Sequence, residues 1–507
     1  MAGSTGATPS MPSRRSFPAS IAPRASRFDR EQKGPEMIAK TLKTLRRPLF
    51  AALLAGALAA PAAAETLADT MVDAYRHSAL LDQNRAVLRA ADEDVATAIS
   101  ALRPVVQWIL KQSFQRGDTT QNGFYINTRQ TSLALQAQIT LYDFGRSQFA
   151  IDAAKENVLA TRSALVGVEQ DVLLSAVQAY LNVRSAMEQV DLQENSVRVL
   201  SQEERAAKDR YEVGEITLTD VSQADAAVAA ARASLAAAQG NLEVARETYQ
   251  TVTGHMPKNL AAPPKPPKLP PSLDQARMVA QKTHPGIAQA QHLTAAAELG
   301  VSGAAAQRNP TITGSVGVTS SRTHTSATDR SQTTDVGVAS IDMSQTIYSG
   351  GALSAAHRKA MAQRDSARAQ LLNTSRQVNQ SVGTSWSRID VARAQIKAIS
   401  EQIAAAQQAY DGVREEATLG ARTTLDVLDA EQSLLVARAN MISAEVDLQL
   451  AYYQLLSSMG LLTVENLKLG IPTYDPSAYY NAVRNAPYTS TQGKSLDRVL
   501  RAIGKSE

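Results

Sequence analysis

The stretch Gly420-Ala-Arg-Thr-Thr-Leu-Asp-Val427 separates two long segments with a helical pattern. The same spacing of glycine, threonine, aspartate and valine occurs 206 residues earlier, in Gly214-Glu-Ile-Thr-Leu-Thr-Asp-Val221. Glycine favours the left-handed residue that ends a helix, and threonine favours the cap that begins the next one. Each stretch is therefore predicted to be the turn of a helical hairpin, with Gly214 and Gly420 as the turn glycines.

The same offset holds over most of the chain without a gap, so the chain is an internal repeat. The first repeat is assigned to residues 65–260 and the second to residues 272–469. Residues 261–271 are rich in proline, which excludes helix and central strand and predicts a stiff linker between the repeats. The residues that recur include Leu67 and Leu273, Pro104 and Pro310, Tyr142 and Tyr348, Gly145 and Gly351, and Gly254 and Gly460.

Residues 1–64 are expected to be absent from the mature protein. A basic segment that ends at Arg47 precedes an apolar run over residues 49–60, and Ala62-Ala-Ala64 precedes Glu65. These are the parts of a secretory signal peptide, behind an upstream extension. Residues 1–64 contain 10 Lys or Arg and 3 Asp or Glu, so the formal charge of +4 becomes about −3 without them. We therefore expect no nucleic-acid partner.

The composition also argues against an enzyme. The chain has no cysteine, which removes disulfides, thiol catalysis and cysteine-based zinc sites. Its six histidines have no metal-ligand spacing, and no nucleophile elbow, P-loop or dinucleotide fingerprint occurs. We expect no enzyme activity, no catalytic residue, no cofactor and no metal site.

Each repeat contains two segments in which apolar and polar residues alternate with the period of a strand. The predicted strands are residues 106–114, 131–141, 312–319 and 340–347. The polar segments 116–128 and 320–334 are predicted to be solvent loops between them. Strands of about 9–11 residues with one apolar face have the length and pattern of transmembrane β-strands. Four strands cannot close a barrel alone, so this interpretation requires an oligomer, with eight strands in a dimer or twelve in a trimer.

Long helices occupy most of the remainder. Residues 144–211 contain no proline and keep an apolar seam, which predicts a helix of roughly 100 Å. A returning helix is predicted from Val221 to about Val252, with Thr217 or Thr219 as its N-cap. The second repeat ends in a matching hairpin. A single helix is also predicted over residues 66–102, before the first strand.

Together these features resemble the TolC-like family of outer-membrane efflux proteins, over residues 65–469. The resemblance rests on the duplicated unit, on Tyr142-Asp-Phe-Gly145 and Tyr348-Ser-Gly-Gly351, and on the repeated Gly-x-x-Thr-x-x-Asp-Val turn. It implies a membrane α+β fold, a homotrimer in which twelve strands, four per chain, form an outer-membrane β-barrel. A long periplasmic α-helical barrel continues it. Residues 470–507 would form an equatorial segment that ends in a disordered tail.

The resemblance implies an outer-membrane location and a role as the passive exit duct of a tripartite export machine. The duct opens at its periplasmic end when a periplasmic adaptor protein and an inner-membrane RND or ABC transporter dock, and outer-membrane lipid surrounds the barrel. The cargo stays open between drugs or other small molecules and type I secreted proteins. An alternative from another class is a secreted or periplasmic coiled-coil scaffold without a pore, although a scaffold has no use for two amphipathic hairpins.

The resemblance also implies an acidic constriction in the periplasmic aperture, at Asp426 and Asp429. Their spacing puts both carboxylates on one helix face, and threefold symmetry would gather about six of them around the pore. Such a ring attracts cations and repels anions. Two acidic residues on a solvated face just after a helix start would give the same pattern.

Arg422, Thr219 and Asp220 match positions that hold the closed helices together in the family, as a latch of hydrogen bonds and ion pairs. The family often has a tyrosine at the position of Ala417, whereas the equivalent aromatic residue here is Tyr211 in the first repeat. We therefore assign Tyr211 to the latch.

Two further aromatic residues, Tyr142 and Tyr348, are predicted to follow the second strand of each repeat. Tyrosines are enriched where a membrane meets water, because the ring is apolar and the hydroxyl is polar. We therefore expect both to lie at the membrane interface.

Overall fold

The computed structural model describes residues 64–118, 125–326 and 329–484, together with Thr491, Lys494, Ser495 and Arg498. The predicted upstream extension and signal peptide lie outside the described residues, except for Ala64. Most of the predicted C-terminal tail also lies outside them.

The two repeats have the same order of elements. The elements of the first repeat are α1 (Leu67–His77), α2 (Ala79–Ser100), β1 (Val105–Asp118), β2 (Tyr125–Tyr142), α3 (Arg146–Glu212) and α4 (Leu218–Thr253). Those of the second are α5 (Leu273–Thr283), α6 (Pro285–Ala306), β3 (Thr311–Thr325), β4 (Arg330–Ser344), α7 (Ala352–Thr418) and α8 (Thr424–Ser458). Two short helices follow, α9 (Val464–Leu467) and α10 (Pro476–Val483). The tandem repeat predicted from the sequence is confirmed.

The single helix predicted over residues 66–102 is wrong, because the structure divides it into α1 and α2 at Ser78. The Ser78 side chain accepts a hydrogen bond from the backbone N–H of Leu81 and caps α2. His284 divides α5 from α6 in the same way, with its side chain accepting from Gly286 and Pro285 at the first helical position. Serine is favoured as a helix N-cap and proline as the first helical residue. The prediction missed both helix starts because the apolar pattern continues across each break.

The helices α3 and α7 each have 67 residues, which corresponds to about 100 Å. The helix predicted over residues 144–211 is confirmed. Asp143 fixes the start of α3, because its carboxylate accepts hydrogen bonds from the backbone N–H groups of Gly145 and Ser147. Gly145 itself has a φ of 85°, which favours glycine. Each long helix then packs antiparallel against the shorter helix that follows it.

The four strands form one antiparallel sheet in the order β1-β2-β3-β4. The predicted loops over residues 116–128 and 320–334 are wrong for the greater part, because the strands continue into them. Arg116 pairs with Asn127, and Thr323 pairs with Gln332. These segments lack apolar alternation, so the sequence pattern had no strand period there, yet the backbone ladder continues.

One face of the sheet is apolar and uncovered. Trp108, Leu135 and Val318 are register partners on neighbouring strands and therefore share a face. The Trp108 side chain is 70% exposed, and Ile341 on β4 is 74% exposed. Among the described residues β1 pairs only with β2 and β4 only with β3, so both edges of the sheet are open.

The main hydrophobic core lies between helices of both repeats. Its largest fully buried side chains include Tyr180 of α3, Tyr249 of α4 and Leu455 of α8. Helices of the two copies thus bury their apolar seams against each other. Over the described residues, no helix combines the length and apolar character needed to cross a membrane.

Candidate functional site

Both helical turns end their long helix in the same way. Gly214 has a φ of 80°, and its N–H donates to the carbonyl of Tyr211 while the N–H of Glu215 donates to the carbonyl of Arg210. After α7, Gly420 has a φ of 74°, and its N–H donates to the carbonyl of Ala417. The N–H of the next residue, Ala421, donates to the carbonyl of Glu416. This pair of bonds satisfies helix carbonyls that would otherwise lack partners, and it requires a left-handed residue.

The next helix begins with a reciprocal cap in both turns. Thr217, not Thr219, is the N-cap of α4, and its side chain accepts from the backbone N–H of Asp220 while the Asp220 carboxylate accepts from Thr217. Thr423 and Asp426 form the same capping box at the start of α8. Hydrogen bonds from the threonines lower the pKa of both carboxylates, so both are ionised at neutral pH.

Asp426 and Asp429 lie one turn apart at the start of α8, but they have different surroundings. The Asp426 carboxylate accepts from both the N–H and the hydroxyl of Thr423, at 2.9 and 2.8 Å. The Asp429 side chain is exposed and has no hydrogen bond or ion pair within the described part of the chain. Asp426 therefore shapes the turn as well as carrying charge, whereas Asp429 contributes charge alone.

Among the described residues, no hydrogen bond or ion pair joins the predicted latch residues to one another. Arg422 donates to Glu416 of its own hairpin at 2.9 Å, and Asp220 bonds its own cap. Thr219 is exposed, and the Tyr211 side chain is 44% exposed. Whether these side chains join neighbouring chains of a trimer stays a prediction.

The structure shows two contacts between the hairpins that the sequence pattern missed. Arg210 of α3 donates to the carbonyl of Ala417 of α7 at 3.3 Å, and Arg414 pairs with Glu203 at 3.1 Å. The partners are about 200 residues apart, so no local spacing could reveal them. The one sequence feature that could have pointed to Arg210 is its position next to the predicted latch residue Tyr211.

The replacement of an aromatic residue by Ala417 also has a structural context. Ala417 is buried in a small cluster with Val427 and Tyr410, which lies two turns earlier on the same helix. Burial raises the pKa of Tyr410, so its hydroxyl stays neutral. The aromatic side chain in this cluster is therefore Tyr410. The carbonyl oxygen of Ala417 accepts twice, from the backbone N–H of Gly420 and from Arg210.

The two predicted interface tyrosines differ in position. Tyr142 ends β2, is 56% exposed, and packs edge-on against the ring of Phe144 at a centroid distance of 4.6 Å. The strand predicted over residues 340–347 is too long, because β4 ends at Ser344. Tyr348 therefore lies four residues beyond the strand, at 87% exposure.

Three comparisons bear on these features. A family model described as outer membrane efflux protein matches the chain twice, over residues 71–255 and 278–461. Outer membrane efflux protein BepC of Brucella suis biovar 1 (strain 1330) is 35% identical over 416 residues, covering 82% of this chain and 89% of that protein. Outer membrane protein TolC of Escherichia coli (strain K12) is 24% identical over 427 residues, covering 80% and 85%. The crystal structure of CusC superimposes with a TM-score of 0.69 at 20% identity, covering 78% of this chain and 92% of that one.

Proposed function

The chain belongs to the outer membrane efflux protein family, and on that premise we propose how it works as an exit duct. It is an outer-membrane channel that extends into the periplasm and serves an efflux or secretion system. Our proposal is that the channel is passive: cargo is moved by a partner, and no residue of this chain does chemistry on it.

The observation that carries the proposal is the four-stranded sheet with two open edges and an exposed apolar face. Open edges invite pairing with further strands, and closure into a barrel removes them. A three-chain assembly would supply twelve strands, which is the homotrimer that the family resemblance implies. Lipid of the outer membrane would then cover Trp108, Val318 and Ile341, which water covers in the single chain.

The turns at the far ends of the helical hairpins are proposed as the periplasmic aperture. Three copies of Asp426 and Asp429 would place six carboxylates around the axis, and those of Asp426 are held ionised by the capping box. The contacts of Arg210 and Arg414 between hairpins would oppose the movement that opens the aperture.

The aperture is proposed to open when a periplasmic adaptor and an inner-membrane transporter of the RND or ABC class dock. A cross-linking experiment tests this docking, since the chain has no cysteine of its own to interfere. Ala421→Cys places a thiol in the exposed second turn, and Ser443→Cys places one on an exposed position of α8 away from it. We expect the first to cross-link to the adaptor and the second not to. Equal cross-linking of both would contradict docking at the turns.

Fractionation of cells tests the proposal against a pore-free scaffold. If the protein is an exit duct, we expect a trimer in the outer-membrane fraction that dissociates to monomer only on heating in detergent. A scaffold predicts a soluble monomer in the periplasmic fraction, and finding one would overturn the proposal.

A further inference from the structure

A group of ionisable side chains lies away from both the sheet and the helical turns. Glu65 precedes α1, Asp73 lies on α1, and His255 follows α4, so the group joins the two ends of the first repeat. One ligand atom from each residue lies within 4.8 Å of the other two. We propose that Glu65, Asp73 and His255 bind a divalent transition-metal ion, with Zn²⁺ as the best-suited one.

The surroundings of the imidazole support a cation at this position. Nδ1 of His255 lies 3.0 Å from the carbonyl oxygen of Met256, which can only accept, so Nδ1 carries a proton. Nε2 then faces two carboxylates, of Asp73 at 3.2 Å and Glu65 at 3.6 Å. A neutral ring would present a lone pair to these anions, so the arrangement needs a positive charge, either a second proton or a metal ion.

Two of the three ligand separations, those from Nε2 of His255, fit a metal ion, and the third lies within 4.8 Å. Zinc binds imidazole nitrogen and carboxylate oxygen at about 2.0–2.2 Å, and tetrahedral geometry then puts ligand atoms roughly 3.3–3.5 Å apart. The distances of 3.2 and 3.6 Å from Nε2 lie close to that range. Three protein ligands leave a fourth position for water, as in open zinc sites.

Groups behind the ligands hold them in place. Glu65 is 8% exposed, and its carboxylate accepts from the hydroxyl of Tyr249 and from the backbone N–H of Lys258. Tyr249 in turn contacts the hydroxyl of Thr70 at 2.9 Å. Metal ligands in proteins commonly have such outer partners, and a backbone carbonyl behind a ligating histidine is a frequent one.

The ion would have a structural effect. The backbone of Glu65 pairs with that of Leu260, just before the proline-rich linker. An ion held by Asp73 and His255 as well would tie the start of the first repeat to the end of its long helical hairpin. The half-exposed side chains of Asp73 and His255, each 35% exposed, leave a path for the ion to enter.

The site was not visible in the sequence, because Asp73 and His255 are 182 residues apart. The sequence-based expectation of no metal site rested on local spacing alone. The backbone N–H of Lys258, not its ammonium group, contacts Glu65.

Zinc binding to the purified trimer tests the proposal. The protein is isolated from outer membranes with a C-terminal Strep-tag, freed of metal with a chelator, and titrated with Zn²⁺ in a calorimeter. We expect one Zn²⁺ per chain, weakened at least tenfold in His255→Gln and in Asp73→Asn. The matched control is His292→Gln, because His292 contacts a single carboxylate, that of Glu156, at 2.8 Å.

The result that overturns the proposal is equal binding by the unchanged protein and by His255→Gln, or no heat above that of a Zn²⁺ titration into buffer without protein. Either outcome would mean that His255 is an imidazolium ion paired with the two carboxylates. Visible absorption of bound Co²⁺ gives a second readout, since a four-coordinate site with an imidazole ligand absorbs strongly and a surface-bound hexahydrate does not. Trimer formation of each variant, followed by its heat modification, shows that lost binding is not lost folding.

Discussion

The side chain of Asp92 is fully buried on α2, in the part of the helix that packs against α3. Both of its carboxylate oxygens lack a hydrogen-bond partner in the described part of the chain. Burial raises its pKa from 3.8 to about 6, although Arg162 opposes the rise. An acid whose folded pKa is raised favours the folded state when protonated, so its cost to stability grows as pH rises from about 4 to about 6 and is complete above that.

Asp92→Asn removes this cost and should stabilise the trimer at pH 8. Each pKa unit corresponds to about 1.36 kcal/mol, so the gain at pH 8 should be about 1–3 kcal/mol and should vanish near pH 4. Thermal dissociation of the purified trimer at both pH values measures it. Asp94→Asn, at an exposed position two residues on, is the control. A gain of the same size at pH 4 would show that ionisation is not the cause.

The two acidic residues of the second turn can be separated by experiment. Asp429→Ala removes a charge with no internal partner, so it should reduce cation selectivity without changing stability. Asp426→Ala removes a charge and a capping box, so it should also cost about 1 kcal/mol. Ion selectivity in planar bilayers and thermal dissociation measure the two effects. Selectivity unchanged in the double variant would contradict an acidic aperture.

At the residue scale, the sequence predicted what depends on neighbours in the chain. The turn glycines were predicted, and Thr217 was one of two candidate caps, because both follow from short-range rules. The capping role of Asp220 and Asp426 was not predicted, although the spacing from threonine to aspartate is local. The contact of Arg210 with Ala417 and the group around His255 depend on packing between distant segments. No periodicity in the sequence carries that information.

At the scale of elements, Gly254 and Gly460 occupy equivalent positions of the two repeats, just after the second helix of each hairpin. Gly460 follows α8 with a φ of 77°, and a Cβ there would lie 2.5 Å from the carbonyl oxygen of Thr283. The Thr283 hydroxyl donates to the carbonyl of Met459 at 2.6 Å, which ties the end of α5 to the end of α8. The backbone of one helix end therefore rests directly on the other.

Gly460→Ala should destabilise the trimer far more than Gly420→Ala does. Gly420 also has a positive φ, but nothing lies within 4 Å of a Cβ placed there. Its replacement should cost about 1–2 kcal/mol through backbone strain alone. Gly460→Ala adds a clash with backbone atoms, so we expect little trimer in the outer membrane. Equal yields of trimer from the two variants would contradict the close packing.

The contact between the hairpins should affect the channel. Arg210→Ser removes the bond from α3 to α7, whereas Arg422→Ser removes an exposed ion pair inside one hairpin. An exposed ion pair contributes little to the stability of a fold, typically below about 1 kcal/mol. We therefore expect Arg210→Ser to raise single-channel conductance more than Arg422→Ser. The reverse order would indicate that Arg422 acts between chains of the trimer.

The elements were predicted unequally. The helices of the first hairpin were predicted over residues 144–211 and 221–252 and span Arg146–Glu212 and Leu218–Thr253, because an apolar seam without proline continues from end to end. The strands were predicted too short at the loop ends, where serine, threonine and glutamine replace the alternating pattern. The breaks at Ser78 and His284 were missed because a cap can interrupt a helix without disturbing its apolar period.

At the scale of the whole molecule, one chain is an incomplete structure. Its sheet has two open edges and an apolar face with no cover from any described element, and its buried core lies among the helices. Internal duplication supplies the four strands, and three chains complete a barrel of twelve. The two amphipathic hairpins predicted an oligomer but left a dimer or a trimer open, and the trimer was implied by the family resemblance. The aperture contacts require a structure.

The central claim, that this chain forms an exit channel, is tested most directly by single-channel recording of the purified trimer in a planar bilayer. The account predicts small, cation-selective conductance steps, blocked when a trivalent cation is added on the side of the helical turns and not on the other side. A protein that purifies as a soluble monomer and gives no conductance would contradict it.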